Sequence, residues 1–372
     1  MKKVLIVATI GGFLPVSEIN NARLLQELGF QVHYAANMQN KIYEYDEQKL
    51  VDMGIVLHHV EFSKNPFRFG KLFQSTKAVQ RIIEEQQIEV VHCHTPVGGV
   101  AGRLASWMAK KRPKVIYTAH GFHFYKGASL LNWLLYYPVE YLLSNITDCI
   151  VTINQEDYKQ AQKMCCKHVI QIPGVGIDFK RFHPKKKTAC LKQKEGSKKI
   201  FRIISIGELN ENKNHRTVIE AIASLQDADI VYEIYGNGPL KEELQKLIKK
   251  LKLETQVFLR EFEIEIENKI IDADSCIFPS FREGLGLAGL EAMACGIPLI
   301  ASDNRGTREY MQHDINGIIC RPDDVTGFAK AILRIKNDKA FAERIAEEGL
   351  QTVKKFSVEE STNIMRRLYE TL

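Results

Sequence analysis

The chain contains no C-x-x-C pair, although it carries eight cysteines, at positions 93, 149, 165, 166, 190, 276, 295 and 320. Thiols scattered through apolar, strand-like runs exclude a zinc ribbon and a disulfide framework. They suit buried, reduced side chains in a cytoplasm. An uninterrupted apolar stretch of about 18 residues is also missing, so no helix is expected to span a membrane. The opening MKKVLIVATIGGFLP imitates a signal peptide, but its apolar run is short and no clean small-x-small cleavage site follows. It reads as a first buried strand ending in Gly11-Gly12. Basic and aromatic residues do not interleave along a strand pair, which argues against nucleic acid as a partner. No repeat of short period occurs. What the chain does have is 372 residues, 45% hydrophobic and 26% charged. That is too long for one ordinary core and right for two domains of about 150–190 residues.

Charge is uneven. Residues 1–199 carry 28 Lys+Arg against 16 Asp+Glu, and residues 200–372 carry 23 against 29. A basic first half suggests an anionic partner, such as a membrane headgroup layer or a diphosphate-bearing substrate. Part of the excess lies in RFHPKKKTACLKQKEGSKK (181–199), which reads as a solvated linker.

Short, β-branched apolar runs alternate with stretches of helical period. In the first half the runs are 4–9, 31–36, 55–60, 88–93, 114–119 and 149–154, with helical spacing over 17–29 and 71–87 between them. The pattern stops at the lysine-rich stretch and restarts with runs at 201–207, 229–236, 256–259, 276–280, 298–302 and 317–320. Strand, helix, strand repeated is the signature of a parallel sheet covered on both faces. The expected fold is therefore α/β, with an N-terminal domain over 1–180, the linker 181–199 and a C-terminal domain over 200–356. Residues 340–371 look helical throughout, and the last helix (357–372) is expected to rejoin the first domain. Ligands of open parallel sheets bind beyond the carboxyl ends of the strands, so the natural site is the cleft between the domains.

The densest chemistry lies in SFREGLGLAGLEAMACGIP (280–298). A strand ends at Pro279, a loop holds Glu283, Gly284 and Gly286, and a helix runs from near Leu285–Leu287 to Gly296. Free N–H groups and a partial positive charge at that helix start, beside a glycine-bared backbone, make an anion site suited to phosphate. Glu283 and Glu291 flank it, so two carboxylates are available for sugar hydroxyls. Gly284-x-Gly286-x-x-Gly289 also matches the dinucleotide fingerprint, but it follows the fourth strand of its domain rather than the first. Hydride chemistry is not expected. Asp272-Ala-Asp274 fits a D-x-D metal pattern, yet it stands at a helix end just before a strand and reads as structural. His58-His59 and His92/His94 have no metal partner at a suitable spacing. The run Leu130–Leu143, rich in Leu, Tyr and Trp133, is either an ordinary core helix or an interfacial patch meeting lipid.

The block Glu283-x7-Glu291, with EGLGLAGLEAMACGIPLIAS, resembles the core signature of the retaining glycosyltransferases of family 4, which have the GT-B fold of two Rossmann-like parallel-sheet domains facing a central cleft. VHCHTPVGG (91–99), TAHGFHF (118–124), IPGVGID (172–178) and GELNENKNH (207–215) resemble the bacterial exopolysaccharide and capsule branch, so the likeness covers nearly the whole chain. The resemblance implies that Glu283 lies beside the donor sugar, that Glu291 holds the nucleotide ribose, and that Lys213 contacts the diphosphate. It places Gly11 and Gly12 in a glycine loop facing the donor and His120 near the reacting sugar. Arg282, Gly286 and Leu287 complete the expected donor site. One departure stands out: Glu208 occupies a position where many members have arginine, leaving Arg282 or Arg305 to supply the second cation.

The function so implied is transfer of a sugar from a UDP-sugar to a saccharide acceptor linked to polyprenyl diphosphate. It is metal-independent and takes place at the cytoplasmic face of the membrane, with peripheral contact to anionic lipid. The catalytic set is Glu283, His120 and Lys213. Two rival readings are a nucleotide-sugar epimerase of the same fold and a non-catalytic nucleotide-sugar-binding subunit.

Overall fold

The computed structural model describes residues 1–39, 45–63, 68–184 and 200–372. Two compact units result: unit 1 comprises Met1–Gly176 together with Val358–Leu372, and unit 2 comprises Ile177–Ser357. Of the basic stretch read as a linker, 185–199 lies outside the described residues. Residues 177–184 belong to unit 2, where the Ile177 N–H donates to the Phe356 carbonyl at 2.7 Å and Arg181 pairs with Glu267 at 2.8 Å.

Unit 1 is built on seven parallel strands: β1 (Lys3–Ile10), β2 (Gln31–Asn37), β3 (Val56–His59), β4 (Val90–His94), β5 (Lys114–Ala119), β6 (Cys149–Thr152) and β7 (His168–Gln171). Their spatial order is β3-β2-β1-β4-β5-β6-β7. Helices α1 (Ile19–Glu27), α2 (Glu47–Asp52), α3 (Phe69–Gln86), α4 (Pro96–Met108), α5 (Leu130–Ser144) and α6 (Gln155–Ala161) connect them. Central strands are apolar on both faces because helices cover both. Val4 to Ala8 are fully buried, and each large side chain among them is worth about 1.5–3 kcal/mol in burial. β7 has no counterpart among the runs read from the sequence. It is an edge strand, HVIQ, with one exposed and three half-buried residues, and so lacks the apolar signal of a central strand.

Unit 2 holds six parallel strands: β8 (Phe201–Ile206), β9 (Ile230–Tyr235), β10 (Val257–Arg260), β11 (Ser275–Phe278), β12 (Leu299–Ser302) and β13 (Ile318–Cys320). Their order is β10-β9-β8-β11-β12-β13. Its helices are α7 (His215–Leu225), α8 (Lys241–Lys250), α9 (Ile266–Ile271), α10 (Leu287–Ala294), α11 (Val325–Asn337) and α12 (Lys339–Val353). The stretch expected to be helical throughout, 340–371, is two helices. A 3-10 turn at Lys354–Phe356 and an extended Ser357 (ψ 156°) end α12 before α13 (Val358–Glu370) begins. α13 belongs to unit 1. There Arg366 pairs with Glu27 of α1, and the Tyr369 hydroxyl lies 2.9 Å from His92 Nδ1.

In each sheet the strand order reverses once, between β1 and β4 and between β8 and β11. Beyond the carboxyl ends of such a pair a crevice forms, because the two connections leave in opposite directions. The candidate residues gather at these two switch points.

Candidate active site

In unit 2 the loop after β11 is shaped by glycine and by Tyr310. Gly286 caps α10 with φ 93°; a Cβ there would lie 2.7 Å from the Phe278 ring, and the Tyr310 hydroxyl donates to the Gly286 carbonyl at 3.2 Å. A Cβ on Gly306 would press on Glu283 and Leu285 within 2.9 Å. The loop is therefore held close against its neighbours, and α10 starts on a glycine, which supplies no side-chain cap to its first N–H groups. At its far end Gly296 adopts φ 72°, donating to Met293, and Ile297 donates to Ala292, which closes α10 where the sequence placed its stop.

Lys213 reaches this loop from the β8 side. Asn210 caps the short 3-10 turn Glu211–Lys213, and the Lys213 ammonium, which also stands over the Phe278 ring, meets Glu283 Oε1 at 2.8 Å. Both side chains are partly buried, at 22% and 15% exposure. Backbone contacts fix the two segments together: Asn212 Nδ2 donates to the Arg282 carbonyl at 2.9 Å, and the Phe281 N–H donates to the Asn212 carbonyl at 2.8 Å. The residues matched separately to diphosphate and to donor sugar thus form one ion pair, which linear spacing did not reveal. Arg305, buried to 6% exposure, donates through Nε to the Glu283 carbonyl at 3.2 Å and brings a second cation to the loop. Glu208 turns to Asn210, whose Nδ2 it accepts at 2.9 Å.

Glu291, Gly286 and Leu287 lie on α10 or its cap. Desolvation pushes the Glu291 carboxyl up to about 7; Glu267 adds to the shift, while Arg181 and Lys213 oppose it. His215, behind Lys213, is driven down to about 3 by burial and then by the Lys213 charge. The Asp274 carboxylate accepts the Arg202 N–H at 2.8 Å at the start of β8, at the opposite strand end from the loop, as its structural reading requires. A larger concavity of unit 2, about 730 Å³ beside Arg202, Glu233, Arg260 and Lys269, includes none of the residues matched to the family.

The remaining expected residues lie in unit 1. Gly11 and Gly12, both buried, follow β1; a Cβ on Gly11 would lie 2.1 Å from the Tyr45 hydroxyl. The Tyr34 hydroxyl sits 2.8 Å from the Ile10 carbonyl and 3.0 Å from that of Gly11, fixing the turn from beneath. The chain then passes through a π-helical turn, Leu14–Glu18. His120 follows β5 and has company that the sequence did not announce. Its Nε2 lies 3.2 Å from His94 Nδ1 at the end of β4 and 3.5 Å from Glu18 Oε1, while His94 Nδ1 lies 3.5 Å from the same oxygen. His92 hydrogen-bonds Thr118 and Tyr369, as a satisfied polar side chain does. His94, read the same way, instead joins a cluster. The one linear signal was the alternation in VHCH, which puts His92 and His94 on the same strand face; Glu18 carried none. Burial governs the charge here. Desolvation raises the Glu18 carboxyl to about 8 against the Asn21 hydrogen bond, lowers His120 to about 4, and carries His94 well below its usual range. At neutral pH the trio is uncharged.

Beside it opens a cavity of about 230 Å³ lined by Phe13, His120, Phe122, Tyr136 and Glu140. Its floor is rigid, because Arg103, fully buried, stacks 3.9 Å over the Tyr117 ring and pairs with Glu140 at 2.8 Å. α5 forms one wall and is apolar on both faces. Trp133, Tyr136 and Tyr137 pack inward, whereas Leu130, Leu131, Leu134 and Leu142 are 62–82% exposed. The core-helix reading holds for the inward face, and the outward face presents a row of exposed leucines. No helix among the described residues is long and apolar enough to cross a membrane.

Residues 3–154 match the family described as Glycosyl transferase 4-like, and residues 188–352 match Glycosyl transferases group 1. The chain is 35% identical over 376 residues to EpsD of Bacillus subtilis (strain 168), named as a glycosyltransferase, with 99% of this chain and 96% of the relative covered. It is 27% identical over 282 residues, 72% of each chain, to the UDP-Gal:alpha-D-GlcNAc-diphosphoundecaprenol alpha-1,3-galactosyltransferase of Escherichia coli. Among solved structures, Anabaena Alr3699/HepE in complex with UDP and glucose superposes with a TM-score of 0.80 over the whole of both chains at 18% identity. Sucrose-phosphate synthase of Thermosynechococcus elongatus does so with 0.81 over 100% of this chain and 99% of that one, at 17% identity. Two all-parallel sheets, and this likeness along the whole length, make the chain a glycosyltransferase of the GT-B fold and of family 4, in the exopolysaccharide and capsule branch.

Proposed function

We propose that this glycosyltransferase moves a sugar from a UDP-sugar to a saccharide carried on polyprenyl diphosphate, with retention of the anomeric configuration and without a metal ion. The observation that carries the reading is the Lys213–Glu283 pair at the mouth of the loop before α10. A lysine ammonium has three donors. One is held by Glu283, which leaves the others to a diphosphate resting on the α10 N-terminus. Glu283 then stands one hydrogen bond from that diphosphate, where the sugar must be, and Arg305 supplies the cation that Glu208 does not.

Both carboxylates, Glu283 and Glu291, are used to hold hydroxyls in this reading, which assigns no side chain among the described residues as a general base. The acceptor oxygen attacks on the face from which the diphosphate leaves, and the departing phosphate oxygen takes the acceptor proton. Lys213 and the α10 N–H groups stabilise the charge growing on the diphosphate. In unit 1, neutral His120 and the glycine loop at Gly11-Gly12 are the groups this reading offers to a sugar hydroxyl. The UDP donor is supported by the UDP complex of Anabaena HepE, and the lipid-linked acceptor by the name of the Escherichia coli galactosyltransferase. The exposed leucines of α5 and the basic first half of the chain support peripheral contact with an anionic membrane.

The test is UDP release from a panel of UDP-sugars, with a pool of lipid-linked saccharide acceptors and with chelator present. Transfer dependent on both donor and lipid-linked acceptor is expected. Turnover of a free UDP-sugar to its epimer without acceptor, or donor binding without turnover on any acceptor, would overturn the reading.

A further inference from the structure

We propose that Glu18, His94 and His120 form a binding site for a zinc-class transition-metal ion on unit 1, one that shares His120 with the proposed transfer chemistry but is not needed for it. The donor atoms are Oε1 of Glu18, Nδ1 of His94 and Nε2 of His120, and they form a nearly equilateral triangle with edges of 3.2, 3.5 and 3.5 Å. An ion bound tetrahedrally by nitrogen and oxygen at about 2.0–2.1 Å requires donor atoms about 3.3–3.4 Å apart. The triangle therefore already has the dimensions of one face of that tetrahedron. Two imidazoles and one carboxylate are also the donor set of open zinc sites, and nitrogen donors select against magnesium and calcium.

The surroundings support a built site. Strands β4 and β5 are neighbours, with His94 opposite Thr118, so both histidines emerge at the same end of the sheet. Glu18 is 2% exposed and is oriented by Asn21, whose Nδ2 donates to the other carboxylate oxygen at 2.6 Å. Among the described ion pairs Glu18 meets only these two histidines, so no fixed cation competes for its carboxyl group. A dication between the three side chains would supply one. Phe13 packs its ring against both imidazoles, at 5.4 and 5.1 Å between centroids, and limits access from one side. His120, at 25% side-chain exposure, leaves an entry path and a fourth position open to water or ligand. An ion held here engages the His120 nitrogen otherwise offered to sugar, so occupancy lowers transfer rather than supporting it.

The experiment uses the full chain, freed of metal by chelator and titrated with Co²⁺. Binding at this site is expected to give the intense visible absorption of a tetrahedral cobalt centre with one equivalent, and Zn²⁺ should displace it. Glu18→Gln, close in shape to the native side chain, and His94→Ala should each weaken Co²⁺ binding by at least about 100-fold, more than loss of an outer-shell contact would. A far-UV spectrum and a cooperative thermal transition like those of the wild type would show that each variant is folded. A folded wild-type protein that gives no tetrahedral spectrum, or a folded Glu18→Gln protein that binds Co²⁺ as tightly as wild type, would overturn the proposal. The readout is spectroscopic and needs no donor or acceptor, so its failure is separable from failure of the transfer reading.

Discussion

The two switch points solve opposite electrostatic problems on the same topology. In unit 2, Lys213 pairs with Glu283 at a half-open loop, Arg305 donates to the same loop, and the α10 N-terminus adds a fixed dipole. In unit 1, burial discharges Glu18, His94 and His120 and leaves hydrogen-bonding groups without net charge. One end is suited to a diphosphate, whose charge must be met, and the other to hydroxyls, which a fixed charge would over-solvate. A parallel sheet thus dictates where a site forms but not its charge; the loops after the strands decide that.

The sharpest way to break the contrast is to neutralise the charged end. In Glu283→Gln, turnover is expected to fall at least about 100-fold, while UDP affinity stays within a few-fold, since the carboxylate acts on the sugar rather than the nucleotide. Steady-state kinetics beside UDP calorimetry checks this, and near-normal turnover in the purified variant would remove Glu283 from its role.

Next comes the uncharged interior. His92 and His215 are lowered to about 3 by burial, so between that value and about 6.5 the unfolded chain binds protons that the folded chain does not. Stability supplied by these groups is complete above about pH 6.5 and is lost as the pH falls, by about 3 kcal/mol for each at pH 4. Glu18 works in the other direction: its raised carboxyl makes the folded chain the better proton binder, so its contribution declines as the pH rises from about 4.5 through 8. Thermal unfolding from pH 4 to 8 should therefore show a steep acid limb, and His92→Gln should flatten it. An unchanged slope in that variant would mean that His92 is not buried neutral.

Lys213→Ala should weaken UDP binding by about 10- to 100-fold, the equivalent of 1.5–3 kcal/mol for a charge-assisted contact, and lower turnover as well. Calorimetry that finds unchanged affinity would transfer the diphosphate to Arg305. The smallest effect concerns α5. Leu130→Ser, Leu131→Ser and Leu134→Ser together are expected to reduce sedimentation with anionic liposomes several-fold, in a salt-sensitive way, without disturbing UDP binding. These side chains face outward, whereas Trp133 and Tyr137 pack into the unit and are left in place. Unchanged sedimentation of a folded triple variant would dissociate this face from lipid.

The sequence made central strands plain because helices on both faces demand continuous apolar runs, and twelve of the thirteen strands among the described residues, three of them at sheet edges, fall on runs read from the sequence. β7 (His168–Gln171) did not: it is a four-residue edge strand with none of its residues buried. Lys213 and Glu283 were each visible inside a local motif, yet their pairing spans 70 residues and depends on β8 lying beside β11. The histidine cluster was illegible for the same reason: Glu18, His94 and His120 meet only because β1, β4 and β5 are adjacent. The two faces of α5 could not be separated by hydropathy, because leucines line one and tryptophan and tyrosines the other.

The return of α13 to unit 1 has a consequence for synthesis. Unit 1 contains the first 176 residues and also Val358–Leu372, with Tyr369 buried against His92. On the ribosome the N-terminal sheet waits, its β4 histidine and the surface of α1 uncovered, while all of unit 2 is translated. Unit 2, contiguous in the chain, is free to close first, reversing the usual order in which the N-terminal domain leads. During that interval the nascent N-terminal half is the exposed species and the part of the chain most in need of a chaperone.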